Sequence, residues 1–174
     1  MEWFKNFTGI QMSSNFQAFD LISRVLDANT QVRRICEIGT YTGSLSIYLG
    51  LEALRISSNL PMYTFNIERQ HSSITQSIFN RLDVKFVLMN VFEKRQDLFD
   101  LFDRPTFLLC DGGNKADELI MCCSELPAGS IVAVHDYGTE FLDKHWQVVS
   151  DYVQPIWEEE WTKEDVRLAL FKIK

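Results

Sequence analysis

Val32-Arg33-Arg34-Ile35-Cys36-Glu37-Ile38-Gly39-Thr40-Tyr41-Thr42-Gly43-Ser44 begins as a strand, closes on a glycine and restarts as a helix. Residues 32–38 read as a strand running into Gly39, whose missing side chain permits a sharp turn. Gly43 lets the next helix start close to a bound ligand. Leu45, Tyr48, Leu49, Leu51 and Leu54 supply the spacing that carries that helix to about residue 57. The same alternation continues downstream. Strands are expected over residues 62–67, 84–89, 106–110 and 130–135, with helices over 73–81, 94–102 and 115–126 between them. Runs of nearly unbroken Ile, Val, Leu and Phe are what a parallel sheet covered on both faces requires.

Upstream, Phe16, Phe19, Leu21, Ile22, Val25 and Leu26 recur at helical spacing, with Ser13 or Ser14 as the N-cap. Downstream, a helix is expected over residues 140–152. Two strands, 156–161 and 166–173, come after it, joined by Thr162-Lys163-Glu164-Asp165. A connection that short makes an antiparallel hairpin, because parallel neighbours need a crossover. The expected fold is α/β: a Rossmann-like, doubly wound, seven-stranded and mostly parallel sheet with a C-terminal antiparallel hairpin. One domain spans residues 1–174: an N-terminal helical segment (1–30), a cofactor-binding βα core (31–136), and a helix with the terminal hairpin (137–174).

The composition narrows the function. The chain has 174 residues, 46% of them hydrophobic and 24% charged, the balance of a globular protein. Its net charge of −7 argues against a nucleic-acid interface, which depends on clustered Lys and Arg. Apolar stretches are too short for the roughly 20 residues of a membrane-spanning helix. The opening residues lack a basic segment followed by an apolar one, so a cytoplasmic location is expected. Cys36, Cys110, Cys122 and Cys123 have no zinc-site spacing and read as reduced core thiols.

In an open parallel sheet, ligands bind outside the carboxyl ends of the strands. Glu37 beside the first turn is awkward for a pyrophosphate and suits a cofactor carrying a positive sulfonium and an amino group. Glu37-Ile38-Gly39-Thr40-Tyr41-Thr42-Gly43-Ser44 resembles the first motif of class I S-adenosylmethionine-dependent methyltransferases. It is similar in particular to the cation-dependent O-methyltransferases of the catechol and caffeoyl-CoA type. The similarity runs from about Gln11 to the C-terminus.

The resemblance implies methyl transfer from S-adenosylmethionine to a small-molecule acceptor, at a hydroxyl oxygen. Cofactor contacts then fall to Glu37, Gly39, Thr40, Tyr41, Gly43 and Ser44, to Asn66 or Glu68 for the ribose, to Asn90 and Val91 beside the adenine, and to Asp111. The segment Gln11-Met12-Ser13 resembles a cover for the methionine end. Asp111 and Asp136 match the aspartates that hold a divalent cation such as Mg²⁺ in relatives, oxygen donors that suit such an ion. Two departures stand out: Tyr137 follows the second aspartate, where relatives carry Asn or Asp, and Asn114-Lys115 follow the first. With that set incomplete, the catalytic candidates are Asp111, His135 as a general base oriented by Asp136, and Lys115 as the alternative base.

Other residues carry less. Gly138-Thr139-Glu140 reads as a helix cap, His71 and His145 as exposed, Trp146, Trp157 and Trp161 as packing, and Glu158-Glu159-Glu160 as a solvent-facing strand edge. The dinucleotide pattern Gly-x-Gly-x-x-Gly is absent, which weakens a nicotinamide enzyme. A non-catalytic binding protein of the same fold is the remaining alternative. From the shortness of the chain, an acceptor pocket that is either shallow or completed by a partner subunit is expected, the partner being a second copy in a homodimer.

Overall fold

The computed structural model describes residues 6–7, 10–11, 16–163 and 166–174. A two-residue pair, β1 (Asn6–Phe7) and β2 (Ile10–Gln11), precedes α1 (Phe16–Ala28). The alternating part comes next: β3 (Arg34–Ile38), α2 (Ser44–Ile56), β4 (Met62–Asn66), α3 (Ser73–Leu82), β5 (Val84–Leu88), α4 (Arg95–Phe99), β6 (Thr106–Cys110), α5 (Lys115–Cys122) and β7 (Ile131–His135). The chain closes with α6 (Asp143–Gln147), β8 (Val153–Pro155), α7 (Glu158–Trp161) and β9 (Leu168–Ile173). Ser13, Ser14 and most of the segment expected to cover the methionine end lie outside the described residues.

The main sheet has seven strands in the order β5-β4-β3-β6-β7-β9-β8. β3 pairs parallel with β4 on one side and β6 on the other, so the strand order reverses at β3. β3, β6 and β7 are buried at every position, as central strands with helices on both faces must be. β9 runs antiparallel to β7, and β8 antiparallel to β9. The register sets where the parallel strands stop. Ile38 lies opposite both Phe65 and Cys110, and Cys110 lies opposite Val134. The strands therefore end level, and Gly39, Asn66, Asp111 and His135 stand in one row along the carboxyl edge.

The C-terminal pair is present, but its first strand is β8, upstream of the expected residues 156–161. Trp157 turns the chain with φ 54°, and residues 158–161 form the short helix α7. Trp157 and Trp161 are four apart, a helical spacing that an apolar count alone takes for a strand. Trp161 is buried, its indole N–H donates to the Ile156 carbonyl at 2.7 Å, and its ring meets Tyr137 edge-on at 4.7 Å. Glu158, Glu159 and Glu160 thus occupy a helical first turn, where carboxylates oppose the helix dipole favourably, and not a strand edge.

The helix expected over 140–152 shrinks to α6, because Asp136 (φ 57°) and Gly138 (φ 86°) fold the preceding chain into a turn closed by Gly138 N–H donating to the Phe141 carbonyl at 2.8 Å. α4 and α5 are likewise shorter than their apolar spacing suggests. His71 is buried against Phe86 (4.4 Å between rings) and Phe79 (5.2 Å), and Nε2 lies 2.9 Å from Gln76, so it is not the exposed residue expected. His145 is half-buried, with Nδ1 accepting from the Leu142 amide at 3.1 Å. The four cysteines are free and buried. Among the described residues no helix is long and apolar enough to cross a membrane.

Phe171 on β9 is fully buried, with rings of Phe141, Trp146 and Trp161 around it at 6.0, 5.7 and 6.1 Å. Phe171→Ala should cost about 3–5 kcal/mol through lost burial and the cavity left behind. Urea unfolding of the two proteins measures it; a loss below about 1 kcal/mol would contradict this packing.

Candidate active site

Gly39 is the point of closest approach. Its φ is +101°, and a Cβ there would lie 2.3 Å from the Asp111 carbonyl oxygen. No other residue permits β3 and β6 to end side by side in this way. The Gly39 amide donates to the Phe65 carbonyl at 2.8 Å, and the Gly43 amide closes the turn onto the Thr40 carbonyl at 2.8 Å. Gly43 itself has φ +90° and faces Thr75 and Phe79 where a side chain would project. As N-cap of the 13-residue α2 it brings no side chain of its own, leaving that helix end without a side-chain cap. Tyr41 is half exposed on the turn with φ 46°, whereas Thr40 and Ser44 are buried.

Glu37 departs from its expected contact with a cofactor. It is fully buried beneath the turn and accepts hydrogen bonds from Ser46 Oγ and from Thr64 Oγ1 (2.6 Å). Thr40 Oγ1 joins the same group, 2.6 Å from Thr64 Oγ1. The second Glu37 oxygen has no partner among the described residues. Burial pushes its carboxyl up to about 8, against the two hydroxyl donors. Glu37 therefore props the turn from below.

A small crevice of about 110 Å³ opens above β3, lined by Gly39, Asn66, Met89, Asn90, Val91 and Gly112 among others. Of the two ribose candidates, Asn66 lines this crevice; Glu68 is exposed outside it, where it pairs with Gln70. Asn90 shapes the next loop, its Oδ1 accepting from the Phe92 amide at 3.0 Å. A larger cavity of about 660 Å³ lies at the opposite, amino edge of the sheet, beside Arg33, Arg55 and Arg104. The carboxyl-edge crevice is the candidate site, because the switch in strand order is there.

Glu118 escaped the sequence reading. Its nearly fully buried carboxylate accepts from the amides of Gly112 (3.2 Å) and Asn114 (3.5 Å), fixing the loop after β6. Burial raises it to about 7, with those two amides opposing. A Cβ on Gly112 would strike its Oε1 at 2.1 Å. The signal lay in an acid one turn into a helix after a Gly-Gly-Asn loop, a pattern close to a capping box.

Beside the crevice sits a charged cluster. His135 Nδ1 lies 3.1 Å from Asp111 Oδ1 and 3.4 Å from Asp136 Oδ2. Lys115 Nζ lies 2.7 Å from Glu140 Oε2, 3.2 Å from Asp136 Oδ2 and 3.9 Å from Asp111 Oδ1, and also donates to the Gly112 carbonyl at 3.0 Å. Burial works against charge on His135, but Asp111 and Asp136 outweigh it and raise the imidazole. Lys115 is likewise raised: burial opposes its charge and the carboxylates, Glu140 first, prevail. The hydrogen bond from His135 holds Asp136 down at about 2, against its own burial. The same carboxylates thus favour the charged form of both His135 and Lys115, which opposes the general-base role expected of either. Tyr137 points away, its hydroxyl donating to Asp143 at 3.0 Å. Single ligand atoms of Asp111, His135 and Asp136 lie within 4.8 Å of one another, a spacing consistent with one divalent ion. The Lys115 ammonium adjoins the two carboxylates such an ion would use.

No protein-family model matches the sequence, and no curated protein does. Solved structures do. An O-methyltransferase from Bacillus cereus in complex with S-adenosylhomocysteine superposes with TM-score 0.57 at 17% identity, over 70% of this chain. This chain spans only 57% of that enzyme's length. TomG from Streptomyces achromogenes, an O-methyltransferase of tomaymycin synthesis bound to S-adenosylmethionine, matches with TM-score 0.61 at 16% identity, over 94% of this chain and 82% of its own. CmcI-D160 with Mg and S-adenosylmethionine matches with TM-score 0.67 at 10% identity, over 97% and 76%. The fold is thus that of class I S-adenosylmethionine-dependent methyltransferases. Two of these three structures are O-methyltransferases.

Glu37 gives a pH test. Its carboxyl rises from about 4.5 in the open chain to about 8 when buried, so the folded state holds a proton that the unfolded state has lost. Its contribution is present below pH about 4.5 and is lost as pH rises toward about 8. Glu37→Gln keeps an oxygen to accept from Ser46 and Thr64 and should remove that loss, on the order of a few kcal/mol. Between about pH 5 and about pH 8 the urea midpoint should fall less in the variant. Equal falls would show that Glu37 is ionised in the folded protein.

Proposed function

We propose that this protein transfers the methyl group of S-adenosylmethionine to a hydroxyl oxygen of a small molecule. The observation that carries the reading is the register: it brings Gly39, Asn66, Asn90 and Gly112 to one crevice at the switch in strand order, with Asp111 level with Gly39 in the same row of strand ends. The residues present fit this cofactor. The α2 end at Gly43 suits the methionine carboxylate, the Asn66 amide suits ribose hydroxyls, and Met89 and Val91 offer apolar surface to adenine. Gly39 lets the ends of β3 and β6 close up beside the crevice, where a Cβ would strike the Asp111 carbonyl. When bound, the cofactor supplies an already activated methyl group on a sulfonium.

What remains for the protein is alignment, and positioning of this kind contributes up to about 7–11 kcal/mol in well-oriented systems. Asp111, between the crevice-lining turn and the charged cluster, places negative charge beside a positive sulfonium. The cluster on its far side, Lys115 with Asp136 and Glu140, is the acceptor end. A small-molecule acceptor fits the shallow opening, and the acidic surface disfavours nucleic acid. The charged state of both His135 and Lys115 favours one second reading, a protein that binds the cofactor without turnover.

Calorimetry with S-adenosylhomocysteine, paired with methyl transfer from tritiated S-adenosylmethionine to a panel of phenols and alcohols, separates these. Binding with turnover supports methyl transfer; binding without turnover on any acceptor supports the second reading; no binding removes both. Asn66→Ala should weaken S-adenosylhomocysteine by about tenfold, near the worth of one hydrogen bond. Glu68→Ala should leave it unchanged. The reverse order would move the ribose to Glu68.

A further inference from the structure

Lys115 is unusual among the described lysines. It is 7% exposed, yet its ammonium stands among the carboxylates of Asp111, Asp136 and Glu140. Those three groups come from three different stretches of chain: the end of β6, the end of β7 and the turn before α6. Their negative charge needs a cation for the cluster to stay together. Two of them are the aspartates whose atoms are spaced to share a divalent ion with His135. An ammonium 3.2 Å from one and 3.9 Å from the other meets the same need from within the chain.

We propose that the Lys115 ammonium is the resident cation of the acceptor site, held by Asp136, Asp111 and Glu140 in place of a divalent metal, and that it binds a single acceptor oxygen. The proposal rests on the methyltransferase reading above. The hydrogen-bond geometry indicates which partner gives way. Gly112 O is backbone and Asp136 is half-buried, whereas the Glu140 side chain is 61% exposed at the rim. An incoming hydroxyl or phenolate oxygen replaces Glu140 on one N–H. A divalent ion with open coordination positions chelates two neighbouring oxygens; an ammonium with one exchangeable N–H holds one. The acceptor class is therefore a compound with an isolated hydroxyl, with no requirement for a vicinal diol.

Tyr137 agrees with this assignment. The residue after Asp136 turns its hydroxyl to Asp143, away from the cluster, so it adds no oxygen donor for an ion. His135 already sits between the two aspartates on the other side. Bringing a divalent ion to the aspartates means placing it against the Lys115 ammonium.

The test uses Mn²⁺ as the probe, read by electron paramagnetic resonance of the free aquo ion, on the full chain. Wild type should leave the signal at its free intensity up to millimolar Mn²⁺. Lys115→Met, which keeps the length of the stem and removes the charge, should bind Mn²⁺ at least about tenfold more tightly. Lys115→Gln repeats the measurement if the Met variant fails to fold by circular dichroism. Wild type binding Mn²⁺ as tightly as the variant overturns the proposal, and so does a folded variant that gains no affinity. S-adenosylhomocysteine calorimetry runs alongside on wild type. Its failure sinks the methyltransferase reading, while the Mn²⁺ comparison alone judges the lysine.

Discussion

The backbone of Gly39 against the carbonyl of Asp111 is the contact on which the arrangement depends. Where β3 and β6 meet, a Cβ would have to pass within 2.3 Å of that oxygen, so the two strands end level only with glycine there. Level ends put Asn66 on one side and His135 on the other. The opposite course of the neighbours, β4 to one side and β6 to the other, opens the crevice between their loops. Glu37 and Glu118 then brace the two loops, each a buried acid, Glu37 engaged by the hydroxyls of Ser46 and Thr64 and Glu118 by the amides of Gly112 and Asn114.

Charge organises the second half of the site. Three carboxylates and two basic groups converge within a few ångströms, and the half-buried setting strengthens each attraction relative to water. Because the charges are compensated inside the chain, the loops after β6 and β7 are tied to each other. That tie leaves a polar rim with Glu140 outermost.

How much of this was legible depended on what the signal was made of. The five parallel strands announced themselves through apolar runs that only a doubly covered sheet tolerates, and the residues just past them could be read off directly. β8 did not, since Val153-Gln154-Pro155 is only three residues long, with a polar residue at its centre and a proline at its end. Trp157 and Trp161 instead drew attention to the segment after it. Glu37 was recognised as part of the turn but placed on the wrong side of it, because sequence does not say which way a strand-end side chain points. Lys115 was seen as a candidate base; its burial among carboxylates, which fixes its charge, is a tertiary fact. Glu118 was passed over and His71 read as exposed because burial, beneath the Gly112 loop or against Phe79 and Phe86, is likewise a tertiary fact.

Pro155 has a further effect at the outer margin of the sheet. β8 is the last strand on that side, only three residues long, and one of the three has no amide hydrogen to offer. A ladder needs a run of donors to extend itself, and here the run is cut short. Growth of the sheet by accretion of further copies is closed on that flank. Of the two ends of the main sheet, the five-residue β5, with its exposed Lys85, is the longer strand, and there a charge takes over the work the imino acid does opposite.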